Sequence, residues 1–542
     1  MQPVDQRPNI LWISLEDTSP RFGCYGDPVA RTPNLDRLAA EGCRYPNAFS
    51  VAGVCAPSRS AVITGMYPTA IGTHQMRTSH STRHSPDTPM PYEAVPPHYV
   101  KLVSEYLRAA GYYCTNNVKT DYQFNPPISA WDEWSQQAHW RNRPDADQPF
   151  FAVFNFTYTH ESGMWADHER SHPADGPLRT DPDQVELPPY LPNTPKARRA
   201  LAQHYDNIER DDEEVGRLLR ELEEDGLAQN TIVFIWSDHG EGLPRAKRWP
   251  YDSGIRVPLI VRWPGRLNEG AVDDRLVSMI DLGPTVLSLA GVGAPQHMHG
   301  TPFLGPDTTP RSYIYASRDR HDEAYDMVRA VRDGRYKYIR HYYPMQPYTP
   351  WIPYLNRHPV MEELWRLHLE GALEPPQDFL FRTRPVEELY DTQNDPHELN
   401  NLAMEPAHRQ TLQRLREALD QWREKYGDMG DVDEAQMVRN WYPNGRQPVT
   451  LHPLLIPVSA EHPGRATGSG GGQFAGPILV QMHCATQGAS IVWTTEPGDD
   501  ARWHLYTGPV RLDGPGRALL RARAHRIGFQ PSEERAAVFH IE

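Results

Sequence analysis

The sequence predicts an α/β protein with a large, mostly parallel sheet sandwiched by helices, and three observations lead there. Short apolar runs recur, "NILWISL" at 9–15, "GYYCTNN" at 111–117, "FFAVFNF" at 150–156 and "TIVFIWS" at 231–237, each ending in polar residues as buried parallel strands do. A helical pattern precedes the last of them: Leu201, Tyr205, Ile208, Val215, Leu219 and Leu222 repeat at steps of three and four within 197–226, broken only at Asp212 and ended by Gly226. Alternation of strands and helices places ligands at the carboxyl ends of the strands. Finally, 542 residues exceed one ordinary core, so a large domain with smaller companions is expected.

Taken along the chain, the first segment "MQPVDQRPNILWISLED" has an apolar stretch of about six residues followed by acids. It reads as neither a signal peptide nor a membrane span, which implies a soluble, cytoplasmic protein with no membrane partner. After about residue 310, "YKYIRHYY" at 336–343 and "ELYDTQNDPHELNNLA" at 388–403 precede the helix "RQTLQRLREALDQWREKYG", which suggests a smaller α+β subdomain. The expected division is therefore 1–310 for the catalytic α/β domain, 311–427 for the subdomain, 428–475 for a linker carrying "GSGGG", and 476–542 for a small β-sandwich.

Composition narrows the class. Apolar and charged contents of 39% and 23% describe a folded globule, and 53 prolines imply long, stiff loops. A net charge of −15 argues against a nucleic-acid partner, so an anionic small substrate needs locally concentrated positive charge. Five cysteines at irregular spacing, Cys24, Cys43, Cys55, Cys114 and Cys484, support neither a disulfide scaffold nor a zinc cluster.

The residues just after the strands are Glu16 and Asp17, Lys119 and Asp121, His160, then Asp238 and His239. Carboxylates after two separate strands offer hard oxygen ligands for calcium or magnesium, and an imidazole can join them. His160 suits acid–base work, and Lys119 and Lys247 suit an anion. Singly, each is more often a helix cap or surface decoration; their recurrence at one sheet edge carries the reading. Cys55, in "GVCAPSRSAVITGMYP", precedes Pro57, which suits a first helical position and so puts Cys55 at a helix N-terminus that attracts anions. A buried thiol and an activated thiolate are the alternatives, but thiolate acyl transfer has no use for a carboxylate metal site.

This constellation resembles the type I, formylglycine-dependent sulfatases of the alkaline phosphatase superfamily, and within them the heparan N-sulfatase-like bacterial enzymes. "CAPSR" at 55–59 matches their C-x-P-S-R maturation signature, and "TPNLDRLAAEGCRYPNAFS", "ITGMYPTAIG", "KRWPYDSGIRVPLIVRWPG" and "ELYDTQNDPHELNNLA" extend the likeness over nearly all of 8–426. The resemblance implies that a formylglycine-generating enzyme oxidises Cys55 to formylglycine. One hydroxyl of its hydrate attacks sulfur, and the other loses its proton so that sulfate is eliminated. It implies one divalent metal, calcium foremost with manganese or magnesium as alternatives, on Glu16, Asp17, Cys55, Asp238 and His239. Arg59 then supports the formylglycine, Lys119 and Lys247 bind sulfate oxygens, and His160 protonates the leaving oxygen.

Two positions depart from the family pattern. Glu16 replaces an aspartate, and "KTD" puts Asp121 where a histidine normally helps deprotonate the hydrate; either Asp121 does that work or the step is supported otherwise. The expected activity is hydrolysis of a sugar or aryl sulfate ester or sulfamate. A phosphonate monoester or phosphodiester hydrolase on the same machinery is the alternative, followed by a non-catalytic glycan-binding protein that uses the β tail. Whether the chain forms a homo-oligomer is open.

Overall fold

The computed structural model describes residues 7–79, 89–165, 177–460 and 470–542. The chain divides into two compact units, Met1–Thr88 with Val153–Asp431, and Pro89–Ala152 with Val432–Glu542.

The centre of the first unit is a sheet in the order Ala271–Val272, Cys43–Arg44, Leu259–Arg262, Thr231–Ser237, Asn9–Leu15, Phe150–Phe156. Asn9–Leu15 and Thr231–Ser237 pair in parallel from Asn9 opposite Thr231 to Leu15 opposite Ser237, and every residue of both strands is buried. Complete burial is why both read as unbroken apolar runs. Leu259–Arg262 pairs antiparallel to Thr231–Ser237, so the sheet is mixed on that side. The in-register central pair ends both strands at one level, which brings Glu16 and Asp17 beside Asp238 and His239.

Helix Pro195–Glu224 starts at Thr194, whose hydroxyl accepts from the Ala197 N–H at 3.2 Å, and stops just before Gly226 at φ +69°. The interruption of its apolar stripe at Asp212 has a physical cause. The Asp212 carboxylate accepts from the Leu35 N–H at 2.8 Å and from Asn34 Nδ2 at 2.8 Å, and so caps the adjoining helix Pro33–Ala40, whose own Thr32 supplies no side-chain cap.

The expected α+β subdomain is present within this unit. Strands Ile314–Arg318, Val328–Arg332, Tyr336–His341 and Glu387–Asp391 form an antiparallel sheet, and helix Arg409–Tyr426 sets Leu412, Leu415, Leu419 and Trp422 against Val331, Tyr338 and Leu389.

In the second unit, Tyr113–Asn117 pairs in parallel with Glu133–Trp134. The expected β-sandwich follows: a sheet of Leu454–Ser459, Ile478–His483 and Val510–Leu512 faces a five-stranded sheet across Leu455, Val480, Leu520 and Phe539. Two features differ from the sequence reading. The span expected as a linker, 428–475, contains helix Glu434–Trp441 and the sandwich strand Leu454–Ser459, while 461–469 lie outside the described residues. The sandwich also shares its unit with 89–152. Lys101 Nζ donates to the Gly488 carbonyl and to Ser490 Oγ, both at 2.7 Å, Ser490 Oγ donates to Glu105 at 2.6 Å, and Arg108 donates to the Trp503 carbonyl at 2.8 Å. None of these polar pairings leaves an apolar period in the sequence.

Gly488 is where this junction is tightest: its φ is +80°, and a Cβ built there would lie 2.1 Å from the His98 carbonyl oxygen. Gly488→Ala should therefore lower stability by about 2–4 kcal/mol, combining left-handed strain with a backbone clash. Chemical denaturation would measure it, and an unchanged midpoint would mean that the sandwich is not anchored through Gly488.

Candidate active site

Cys55 opens the helix Cys55–Thr64, all of whose residues are buried, directly after Val54 in an extended conformation at φ −155°. The helix thus begins at Cys55 itself, two residues earlier than Pro57 suggests, and Pro57 sits in the first turn, where no intrahelical N–H is required. Cys55 Sγ lies 3.4 Å from His239 Nε2, 3.5 Å from Glu16 Oε1 and 3.9 Å from Asp17 Oδ1. Glu16, Asp17, Cys55, Asp238 and His239 are all nearly inaccessible to solvent.

Two overlapping groups can gather around one cation: Glu16, Asp17, Cys55 and His160, and Asp17, Cys55, Asp238 and His239, with donor atoms in each group within 4.8 Å of one another. Hard carboxylate oxygens with an imidazole suit calcium, magnesium or manganese. His239 is oriented for this, because its Nδ1 meets the Gly240 carbonyl at 2.9 Å. If Nδ1 carries the proton, Nε2 is a lone-pair donor facing Asp17 Oδ1 at 2.9 Å. Asp17 takes a left-handed φ of +48° to present its carboxylate.

Positive charge surrounds this cluster. Lys247 Nζ is 2.6 Å from Asp17 Oδ2 and 3.1 Å from Glu161 Oε1. Burial pushes the Lys247 pKa down, but Asp17, Cys55 and Glu161 outweigh it and hold the ammonium well above its usual range. Burial likewise raises Asp17, yet Lys247, His239 and His160 bring its carboxyl well below the ordinary value. Arg59 donates from Nε to Asp238 Oδ2 at 3.0 Å and from Nη1 to Asn155 Oδ1 at 2.9 Å, so it fixes a carboxylate of the cluster. His160 Nδ1 meets Ser162 Oγ at 2.7 Å.

Of the residues singled out from sequence, Glu16, Asp17, Cys55, Arg59, His160, Asp238, His239 and Lys247 come together in the first unit. Lys119 and Asp121 belong to the second, where Lys119 Nζ is 3.6 Å from Asp121 Oδ2. Two participants escaped the sequence reading. Glu161 accepts from Arg248 Nη1 at 3.0 Å and Nη2 at 2.7 Å, touches Lys247, and donates its N–H to Asp17 Oδ2 at 2.7 Å. The Arg248 guanidinium and Lys247 ammonium hold Glu161 far below the usual carboxylate range despite burial, which acts upward. The available signal was adjacency, Glu161 after His160 and Arg248 after Lys247, and adjacency alone does not reveal a pair 87 residues apart.

A mixed sheet whose strand ends converge on Cys55, a carboxylate-imidazole cluster able to hold a cation and a buried lysine is that of an alkaline phosphatase-like fold. Residues 8–292 match the sulfatase family, and 240–352 match the N-sulphoglucosamine sulphohydrolase C-terminal family. The chain belongs to the sulfatase family and is a sulfuric ester hydrolase. It is 43% identical to the Ulvan-active sulfatase of Formosa agariphila over an alignment of 566 positions, gaps included, that covers 98% of this chain and 91% of that protein. A solved complex with the substrate D-glucosamine-2-N,6-O-disulfate superposes with TM-score 0.55 at 19% identity, covering 79% of this chain and 100% of the other. The phosphonate monoester hydrolase of Silicibacter pomeroyi superposes with TM-score 0.56 at 20% identity, covering 78% and 97%. These two structural likenesses are ones of fold.

Glu161→Gln should lower kcat/KM for an aryl sulfate by about 10- to 100-fold, and by less than about threefold in a Lys247→Ala background if Glu161 acts through Lys247. Additive losses in that double-mutant cycle would refute the coupling. A second outcome concerns Asp211, which accepts from Thr159 Oγ1 at 2.8 Å and is pushed up to about 8 by burial, with Glu16 adding to the rise. The folded state therefore retains a proton that the unfolded chain releases near pH 4, so this contribution is full below about pH 4 and is lost as pH rises through about 8. Asp211→Asn should flatten that slope and stabilise the protein at pH 8 by roughly 1–3 kcal/mol, measurable by denaturation at pH 5 and 8.

Proposed function

We propose that this sulfatase removes sulfate from ulvan or ulvan-derived oligosaccharides, with Cys55 as its formylglycine form and a divalent cation, calcium foremost, on Glu16, Asp17, Asp238 and His239. The observation that carries the mechanism is the placement of Cys55, the "CAPSR" cysteine, within 3.4–3.9 Å of His239, Glu16 and Asp17 on the first turn of a buried helix. The substrate reading is supported by the near full-length relation to the Ulvan-active sulfatase.

Oxidised by a formylglycine-generating enzyme, Cys55 supplies a hydrated aldehyde, one hydroxyl being the nucleophile toward sulfur and the other the source of the elimination that frees sulfate. A cation held by Glu16, Asp17, Asp238 and His239 would supply positive charge for the sulfate oxygens and favour the ionised hydroxyl. Lys247, kept protonated by its acidic neighbours, binds a sulfate oxygen. His160 donates its proton to the ester oxygen as the sugar departs. Arg59 keeps Asp238 in position, and Glu161, itself paired with Arg248, braces Lys247.

Mass analysis of the Cys55 peptide from active enzyme should show the aldehyde, and an intact thiol at full activity would overturn the mechanism. Cys55→Ala should cut turnover by about a thousandfold or more without loss of fold. Chelation should abolish activity, with recovery on adding calcium. On paired aryl sulfate and aryl phosphonate substrates the sulfate should be preferred; the reverse order would make this a phosphonate hydrolase.

A further inference from the structure

Beside His160 lies a group of side chains that the chemistry above does not use. The Tyr354 ring stands 6.4 Å from the His160 ring and 4.6 Å from that of Trp165. Each of these two rings carries a guanidinium: Arg77 lies 4.2 Å from the Tyr354 centroid, and Arg357 lies 4.3 Å from that of Trp165. Behind Arg77, Asp322 Oδ1 is 3.1 Å from Nε; the Asp322 side chain is 3% exposed, whereas 34% of the Arg77 side chain reaches solvent.

A purely structural role, closing the 74–78 loop against 319–324, does not explain Arg77. That closure is already made by other groups: the Met76 N–H donates to the Arg320 carbonyl at 2.8 Å, and the Arg320 N–H donates to Gln75 Oε1 at 2.7 Å. Yet Arg77 and Asp322 both adopt left-handed φ, +56° and +48°, a conformation that costs each about 1–2 kcal/mol and that clusters where side chains are held for a ligand. The arrangement presents a guanidinium fixed on one side by an aromatic face and at one edge by a carboxylate. That guanidinium is partly open to solvent and has the fork geometry that carboxylates and sulfates match. Since the acidic partner is buried, the groups that these rings offer to solvent are the cations.

We propose that Arg77, seated on Tyr354 and braced by Asp322, binds a second anionic group, a carboxylate or a further sulfate, on the sugar whose sulfate ester is cleaved. The leaving oxygen faces His160, so the departing sugar passes along Tyr354, and an oxyanion on that sugar or its neighbour comes within reach of Arg77. This rests on the sugar-sulfate hydrolysis proposed above.

The test compares Arg77→Ala and Tyr354→Leu with the parent enzyme on three probes: 4-nitrophenyl sulfate, a disulfated monosaccharide, and a sulfated disaccharide bearing a uronate. For Arg77→Ala the expected result is a KM rise of about 10- to 100-fold on one or both polyanionic probes, at least tenfold larger than on the aryl sulfate, with kcat little altered and a weaker dependence of KM on salt. Tyr354→Leu should reproduce the pattern in smaller measure. A response confined to the disulfated sugar assigns the subsite to sulfate, and one confined to the uronate assigns it to carboxylate. Equal losses on all three probes, or none, would overturn the proposal. If Arg77→Ala does not fold, Arg77→Gln serves for the same comparison. Should the parent enzyme fail on every sulfate ester, the proposed function fails; if it turns them over while the variants show no selectivity, only the Arg77 subsite does.

Discussion

The carboxylate of Asp17 is the contact on which the site turns. Its Oδ1 faces His239, its Oδ2 receives both the Lys247 ammonium and the Glu161 N–H, and its backbone holds a left-handed conformation to make this reach. One buried group thus ties together two strand ends, the loop carrying His160, and the loop carrying Lys247 and Arg248. A burial this complete is tolerable only because opposite charges are assembled around it. Glu16, Asp17, Asp238 and Glu161 stand against Lys247, Arg59 and Arg248, four carboxylates to three lysine and arginine cations. The deficit of one positive charge is of the sign that a divalent cation reverses, leaving the pocket attractive to an anion.

The division of labour follows from that balance. Arg59 and Arg248 are each committed to a carboxylate, Asp238 and Glu161. Lys247 is shared between two acids, Asp17 and Glu161, so one of its contacts can exchange for a sulfate oxygen while the other is kept. Arg77 belongs to a different environment, partly in water and stacked on an aromatic ring, as expected of a group that meets a substrate's periphery and not its reacting centre.

Much of this was legible beforehand for definite reasons. Strands buried on both faces leave continuous apolar runs, so 9–15 and 231–237 were visible to the residue, and the polar residues that follow them mark the functional edge. "CAPSR" is five contiguous residues, so its match to the family's signature survives as a local string. The Glu161–Arg248 pair, the cap that Asp212 makes for a distant helix, and the Arg77–Asp322–Tyr354 group have no such trace, since each joins residues far apart in sequence. The 428–475 span misled because proline and glycine content resembles a linker, whereas a short helix and a sandwich strand need few residues and take their stability from packing.

The amino-acid sequence by itself determined the class of fold and pointed to Cys55 and the oxygen, imidazole and lysine groups gathered around it, because periodicity and short motifs are properties of neighbouring residues. Tertiary structure alone decided how those groups are charged and held: which carboxylate is shared, which arginine is committed, and that the β-sandwich is fastened to 98–108 through Gly488 and Ser490. These are consequences of burial and of distance in space, which a linear pattern does not record.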